Sequence, residues 1–130
     1  MAHERMFDPD DPMLHWFRSL ALALPEAEEK ISHGRPVFFT TKLFAVFGGV
    51  RKLEPSGMEQ HPHAMLVRPD PLDVDVLLER EDAFSPAYFG HSGWVGIELD
   101  SLPEDEVREL LIESYRQTAP KRLSRHVETD

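Results

Sequence analysis

The spacing of the apolar residues changes twice along this chain, and this change limits the possible folds more than any other feature. The first apolar segment contains Met13, Phe17, Leu20, Ala21 and Leu24. These residues recur at helical intervals, which predicts an amphipathic helix with one buried stripe. Between residues 31 and 47, short runs of β-branched and aromatic residues replace that spacing, and helical intervals return between residues 107 and 115. A helix, a group of strands and a final helix are therefore expected.

Local signals mark the ends of the two helices. Asp11-Pro12 is typical of a helix start, because Asp accepts an N-terminal amide and Pro loses no hydrogen bond at the first helical position. Pro25 is expected to end that helix. Before the final helix, Ser101 and Glu104 have the spacing of a capping box, in which each side chain bonds the other residue's backbone amide. Pro120 limits this helix at its other end.

Five strand segments are expected between the helices. They cover residues 31–33, 36–41, 42–47, 63–68 and 94–99. Gly48-Gly49 is interpreted as a tight hairpin turn, because glycine readily adopts positive backbone angles. Residues 82–93 combine Gly, Pro, Ser and aromatic residues without a period, which is typical of an ordered loop. The pattern predicts an α+β domain, in which N-terminal and C-terminal helices pack chiefly on one face of an antiparallel sheet of four to five strands.

Length and composition limit the domain organisation and the chemistry. The 130 residues suit one domain, which is expected at residues 11–125, with a flexible acidic arm at residues 1–10 and a tail at residues 126–130. The chain contains no cysteine, which excludes disulfides, cysteine zinc sites, thiol nucleophiles and iron–sulfur clusters. The N-terminus lacks the layout of a signal peptide, and no run of about 18 apolar residues occurs. A cytoplasmic protein without a membrane partner is therefore expected.

Charge is unevenly distributed along the chain. The formal net charge is minus 10, with 24 acidic and 14 basic side chains, which argues against general binding to nucleic acids or anionic membranes. Two segments, residues 30–52 and 114–127, nevertheless hold nine basic residues and no acidic one. If these segments lie on one side, they form a local basic surface that can hold phosphates. Alternatively, their cations neutralise acidic residues of the neighbouring helices.

Eight short pieces of sequence between Arg18 and Leu123 occur in an order and spacing that is similar to a known family. They are Leu24-Pro25, His33-Gly-Arg-Pro36, Lys42-Leu-Phe-Ala45, Leu66-Val-Arg68, Phe84-Ser-Pro-Ala-Tyr88, Gly93-Trp-Val95, Ser114-Tyr115 and Ala119-Pro-Lys121. With these pieces the chain resembles the MmcQ/YjbR family of small bacterial proteins. It departs from the family pattern at Thr41, where glycine is usual, and in a longer link from Gly48 to Pro62.

The resemblance implies a fold and a partner. The family is described as α+β, with a layout similar to the frataxin-like CyaY arrangement and a double-wing motif that is proposed to bind DNA. On this basis the chain is expected to bind DNA, and its net charge of minus 10 makes such binding weak and dependent on salt. The cations assigned to this contact are Lys42, Arg51, Lys52, Arg68, Lys121 and Arg122.

The aromatic residues support a different interpretation. Strand alternation predicts that Phe38, Phe44 and Trp94 lie on the sheet face opposite the helices. An apolar face that stays uncovered is typical of a partner or ligand surface. Phe44, Tyr88 and Trp94 are therefore candidate contacts for a protein or a small ligand. Alternatively, the loop that carries Tyr88 and the C-terminal tail fold over this face and form a second small core.

No catalytic or cofactor site emerges from the sequence. It contains no nucleophile elbow, no glycine-rich phosphate loop and no paired carboxylates at a recognisable spacing, so no enzyme, cofactor or metal is expected. His61-Pro-His63 is compatible with a shared metal ion only if Glu59 or His91 completes the ligand set; otherwise these are two exposed loop histidines. Ser114 and Tyr115 are interpreted as packing residues of the last helix, with the tyrosine hydroxyl bonded nearby.

Overall fold

The computed structural model describes residues 4–127 and contains a six-stranded sheet. The helices are α1 (Pro12–Ala21), α2 (Val74–Leu78), α3 (Glu104–Thr118) and α4 (Lys121–Ser124). The strands are β1 (Glu28–Ser32), β2 (Arg35–Phe39), β3 (Leu43–Lys52), β4 (Met58–Val67), β5 (Ala83–Phe84) and β6 (Val95–Glu98). Residues 1–3 of the predicted arm and residues 128–130 of the predicted tail lie outside the described residues.

The strand order is β1-β2-β3-β4-β6-β5, and every neighbouring pair is antiparallel. The predicted α+β class is therefore confirmed, but the sheet has six strands rather than four to five. The additional strand is β5, which lies at the edge of the sheet in the stretch predicted to be a loop and pairs Phe84 with Gly96. A strand of two residues has no detectable periodicity, which is why the sequence pattern missed it.

Strands β3 and β4 form a long central hairpin, and its turn lies between residues 52 and 58. Across this turn the Leu53 amide donates to the Gly57 carbonyl oxygen at 2.9 Å. The hairpin turn predicted at Gly48-Gly49 is wrong, because both glycines lie inside β3. The cluster of turn residues that follows, Glu54 to Gly57, ends the strand instead.

The pairing of β3 with β4 is irregular around Gly48. Phe47 faces Met65, but Gly49 faces His61, so β4 has more residues than β3 over this interval. Gly48 has a φ of +83°, a left-handed conformation that glycine adopts without steric cost. The irregularity is a β-bulge, which bends a strand without ending it. The glycine pair therefore lies inside β3, opposite the extra residues of β4.

The main core lies between the sheet and helices α1 and α3. Phe17 of α1 packs edge-on against Phe38, with 5.6 Å between the ring centroids, and Phe44 packs in the same way against Tyr115 of α3 at 5.5 Å. Burial of each such side chain contributes roughly 1.5–3 kcal/mol to the free energy of unfolding. The core face predicted for the strand at residues 94–99 is confirmed, since this core also contains Val95, Ile97 and Leu99.

Phe44 lies in the main core because of a second bulge. Phe38 faces Ala45, but the next residue, Phe39, faces Leu43. Phe44 is thus an extra residue of β3, and the bulge turns it to the helix face together with Ala45. Phe38 lies in the same core, against Phe17. The prediction that Phe38 and Phe44 lie opposite the helices is wrong for both residues.

Two hydroxyl groups of α3 form hydrogen bonds with the backbone of other parts of the chain. Ser114 is buried, and its hydroxyl accepts from the Arg68 amide at 2.8 Å and donates to the Phe44 carbonyl oxygen. The buried Tyr115 donates its hydroxyl proton to the Pro25 carbonyl oxygen at 2.7 Å. Burial raises the pKa of Tyr115, so the hydroxyl remains a donor. The interpretation of Ser114 and Tyr115 as packing residues is confirmed.

Of the two predicted helix starts, the one at Asp11 is confirmed and the capping box at Ser101 is wrong. Asp11 caps α1 as expected, because its carboxylate accepts from the Met13 amide at 2.9 Å. The capping box is wrong: the Ser101 hydroxyl donates to the Asp82 carboxylate at 2.6 Å, and α3 begins only at Glu104. None of the helices within residues 4–127 is long and apolar enough to cross a membrane.

The described part of the predicted arm contacts the sheet. The Met6 amide donates to the Gly34 carbonyl oxygen at 2.8 Å, and Phe7 packs against the main core. The division of the chain into arm, domain and tail stays a prediction.

A second, smaller core lies on the opposite face of the sheet. Its buried residues are Val37, Val46, Ala64 and Leu66 from the strands, with Phe84 and Trp94 above them. Phe89 of the loop packs against Trp94, with 5.2 Å between the ring centroids. The loop between β5 and β6 therefore covers part of this face, as the alternative interpretation expected. The C-terminal segment instead adds Leu123 and Val127 to the main core.

An ion-pair network anchors the start of this covering loop. Arg80 donates to the Asp82 carboxylate at 2.8 and 3.0 Å and to the Glu106 carboxylate of α3 at 2.7 Å. The Asp82 side chain is only 17% exposed. The hydrogen bonds from Arg80, supported by the bond from Ser101, lower the pKa of Asp82 to about 2.

We predict that acid weakens this anchor. The pKa of Asp82 is about 2 in the folded chain and about 3.9 in an unfolded one. Its contribution to the free energy of unfolding is therefore complete above a pH of about 4 and is lost as the pH falls towards about 2. Urea unfolding across this range measures a loss on the order of 2 kcal/mol. Asp82→Asn should remove this part of the pH dependence. Asp100→Asn, at an exposed position, should keep it. If the free energy of unfolding depends on pH in the same way in both variants, the proposed role of Asp82 is contradicted.

Candidate ligand groove and basic end

A groove of about 810 Å³ lies on the sheet face opposite the helices, beside the second core. Strands β2, β3 and β4 form its floor, and residues 87–89 form one wall. The residues that define it are Arg35, Val37, Val46, Leu66, Tyr88 and Phe89. Sites for small molecules have volumes of about 300–1,000 Å³ and mostly apolar walls. This feature, which we call the sheet groove, has the size and surface of a binding site.

Two glycines of β3, Gly48 and Gly49, leave space that the side chains of Arg35 and Leu66 occupy. A Cβ atom on Gly48 would lie 2.5 Å from Nη1 of Arg35, and a Cβ atom on Gly49 would lie 2.7 Å from Cδ2 of Leu66. Both distances are well below ordinary van der Waals separations of about 3.5–4.0 Å. Glycine at these two positions therefore lets the guanidinium and the leucine side chain lie directly against the backbone.

Arg35 brings a positive charge to the sheet groove. Its Nη2 donates to Oε1 of Gln60 at 2.6 Å. Among residues 4–127, Arg35 forms no ion pair with a carboxylate. Burial lowers the pKa of Arg35, but a guanidinium stays protonated at neutral pH. A partly desolvated cation without a counter-charge is costly. Such a group is typical of a place where an anion binds.

Tyr88 presents its ring at the edge of the sheet groove in an unusual backbone conformation. The residue is 75% exposed, and its φ is +72°, in a region that residues other than glycine rarely adopt. The Ala87 amide holds the loop there by donating to the Val50 carbonyl oxygen at 2.8 Å. Strain of this kind persists only where the surroundings impose it, and it is concentrated at ligand sites.

The other two aromatic residues predicted to form a partner surface are buried. Phe44 lies in the main core against Tyr115. Trp94 is 7% exposed because the loop residue Phe89 covers it. The assignment of Phe44 and Trp94 to a partner surface is therefore wrong, whereas Tyr88 lies in the wall of the sheet groove.

Four of the six cations predicted to contact DNA lie at one end of the sheet, which we call the basic end. They are Lys42, Arg68, Lys121 and Arg122. Lys42 precedes β3 and Arg68 follows the antiparallel β4, so both lie at the same end of the central hairpin. Arg122 of α4 donates two hydrogen bonds to Glu26, at 2.9 and 3.1 Å. Glu26 lies just before β1, and the start of β1 pairs with the end of β2, which in turn pairs with the start of β3. The cations of α4 therefore lie at the same end of the sheet.

The remaining two cations, Arg51 and Lys52, lie at the opposite end of β3. At about 3.3 Å per residue, the length of this strand separates the two groups by roughly 30 Å. Arg51 also pairs with Glu59 at 3.1 Å. The structure therefore brings four of the predicted cations together and leaves two apart.

A smaller depression of about 480 Å³ between α2 and α3 carries the opposite charge. Four carboxylates line it: Asp73, Glu106, Glu109 and Glu113. Carboxylates at this density repel phosphates. Any nucleic acid must therefore approach from another side of the molecule.

The two histidines of the metal alternative have different partners. The ring nitrogens of His61 lie 2.7 Å from Glu59 and 3.0 Å from Glu98. His63 instead bonds Asp11, the cap of α1, at 2.7 Å. In the part of the chain that the structure describes, no group of three or more His, Cys, Asp or Glu side chains is placed to hold a metal ion.

Arg35 belongs both to the basic segment 30–52 and to the piece His33-Gly-Arg-Pro36, but neither pattern marks it as a site residue. One signal was present, since Arg35 opens a strand whose next residues are apolar. Its meeting with Gln60 and Gly48 depends on the pairing of three strands. Spacing along the chain carries no information about such a contact.

Comparison with known proteins is consistent with this fold. A crystal structure of a protein from Pseudomonas syringae, a Northeast Structural Genomics Consortium target, is similar over 80% of this chain and 97% of that chain, with a TM-score of 0.64 and 16% sequence identity. At this identity the similarity shows a shared fold. No curated protein matches the sequence. A family model described as YjbR matches residues 22–117. This match covers most of the chain and agrees with the resemblance found in the sequence, so the chain belongs to the YjbR family.

Proposed function

We propose that this chain is a non-enzymatic binding domain that holds a small amphipathic molecule in the sheet groove. The observation that carries the proposal is the groove itself, about 810 Å³ in volume, on a sheet face that the helices leave free. Its apolar floor, formed by residues such as Val37, Val46 and Leu66, supplies the affinity that comes from removing apolar surface from water.

Binding is a better explanation of this site than catalysis. The cationic group over the floor of the groove is the Arg35 guanidinium, which neither gains nor loses a proton at neutral pH. It therefore supplies orientation and charge, but no acid or base for a reaction. Tyr88 supplies an exposed aromatic ring beside it, which suits contact with an apolar ligand body.

We predict that Tyr88→Gly weakens binding without unfolding the chain. Loss of the ring should raise the Kd of a neutral apolar fluorophore such as Nile red about 5- to 10-fold. The free energy of unfolding should change little, because glycine adopts the positive φ of this position without strain. Fluorescence titration and urea unfolding measure the two quantities.

Leu72→Ala is the matched control for this variant. Leu72 is also a large exposed apolar residue, but it lies outside the sheet groove, so its loss should leave the Kd unchanged. A Kd that is equal in the native chain and in Tyr88→Gly, or that rises as much in Leu72→Ala, would contradict the proposed site.

A second candidate function is weak binding of the DNA backbone at the basic end, as the family resemblance implies. The observation that favours it is that Lys42, Arg68 and Lys121 form no ion pair within residues 4–127, which leaves their charges available to phosphates. The net charge of minus 10 opposes the approach of DNA. Any such binding is therefore expected to be weak and steeply dependent on salt.

We predict that removal of one charge at the basic end reduces this salt dependence. For a short labelled DNA duplex, Lys42→Gln or Lys121→Gln should lower the affinity and reduce the slope of log affinity against log salt by about 1. Lys52→Gln removes the same charge at the opposite end of β3 and should change neither quantity. Equal effects of Lys42→Gln and Lys52→Gln, or binding that is independent of salt, would exclude this candidate.

A further inference from the structure

We infer that the ligand of the sheet groove is an amphipathic anion, with one acidic head that binds the Arg35 guanidinium and an apolar body that lies along the strand floor towards Tyr88. This inference rests on the proposed function. It adds the chemical class of the ligand and the residue that selects it.

The guanidinium of Arg35 has donors to spare. A guanidinium carries five N–H donors, and within residues 4–127 the structure records one hydrogen bond from the guanidinium of Arg35, to Oε1 of Gln60 at 2.6 Å. Gln60 is neutral, so it orients the guanidinium without cancelling its charge. Because two parallel N–H donors match the two oxygens of a carboxylate, a ligand with such a head can form a bidentate pair here.

The surroundings of Arg35 strengthen its attraction for an anion. Its guanidinium lies against the backbone of Gly48, on a floor formed by Val46, Leu66 and other apolar side chains. An apolar floor reduces screening by water, so a charge pair formed here is stronger than one on an open surface. The same floor disfavours a second charge on the ligand, because a charge buried without a partner is costly. The site therefore suits a molecule with one anionic group at one end.

Glu4 is the one carboxylate in the lining of the sheet groove. It belongs to the segment before Met6, which the sheet holds through the Gly34 carbonyl oxygen. Glu4 is exposed and forms no ion pair with Arg35 in the described structure. Its negative charge lowers the affinity of the groove for an anion to a limited extent, because water screens it. Removal of this charge should therefore strengthen the binding of an anionic ligand.

A matched pair of probes tests the inference. Decanoate and decanol have the same chain length and differ in the charge of the head, and each can be titrated against Nile red bound to the full chain at neutral pH. Decanoate should displace the fluorophore at a concentration about 10-fold lower than decanol, because a charge-assisted hydrogen bond adds to the shared apolar contact. In Arg35→Gln this ratio should fall to about 1 or below, because the carboxylate loses its charged partner while the alcohol loses no ion pair.

Two further variants complete the design. Lys52→Gln, which also removes one charge from the sheet but lies outside the groove, should keep the 10-fold ratio seen in the native chain. Glu4→Gln should increase it about 2- to 3-fold. Arg35→Lys keeps the charge and loses the planar fork, so its ratio should lie between those of the native chain and Arg35→Gln. Circular dichroism verifies the fold of each variant.

The outcomes separate the inference from the proposed function. If decanoate and decanol displace Nile red equally from the native chain, the groove binds apolar molecules and the inference of an anionic ligand is overturned. If Nile red does not bind, or neither probe displaces it, the proposed function itself fails. The ratio in the native chain needs no variant, so the inference stays testable even if Arg35→Gln does not fold.

Discussion

The central strands β3 and β4 are apolar on both faces, and this constraint determines how the rest of the chain is arranged. Phe47 and Met65 point to one face, and Val46 and Leu66 point to the other. Each face must be covered to remove these side chains from water. Helices α1 and α3 cover the first face. A loop covers the second one with a few aromatic side chains, and the sheet groove lies where that cover ends.

Most features that depend on neighbouring residues could be predicted from the sequence, and features that depend on strand pairing could not. The capping box was wrong because Ser101 bonds the distant Asp82, a contact that local spacing does not show. The cap at Asp11 and the alternation of residues 94–99 were correct, because a cap and a strand face are set by local spacing. The positions of Gly48 and Phe44 were missed, because a bulge appears only when two strands are aligned. The candidate site was missed for the same reason: Arg35 meets its surroundings only through the register of the sheet.

The net charge of minus 10 does not predict which anions this molecule can bind, because binding depends on the charges that lie near each site. Lys42 and the other cations of the basic end lie roughly 30 Å from Arg51 and Lys52, and an acidic depression occupies another surface between α2 and α3. In the sheet groove, by contrast, a single half-buried cation acts over an apolar floor. Desolvation gives one charge at such a place more influence on binding than several exposed ones. This contrast favours a small anion over a polyanion as the ligand.

Binding of a ligand to the uncovered part of the second sheet face can be followed at each residue through the backbone amide shifts of ¹⁵N-labelled protein during a titration with decanoate. The largest shifts should occur at Arg35, Val37 and residues 46–50 and 87–89, with little change in α1 and α3. Shifts that are largest in α3 or at the basic end, or that spread evenly over the chain, would contradict binding at this face.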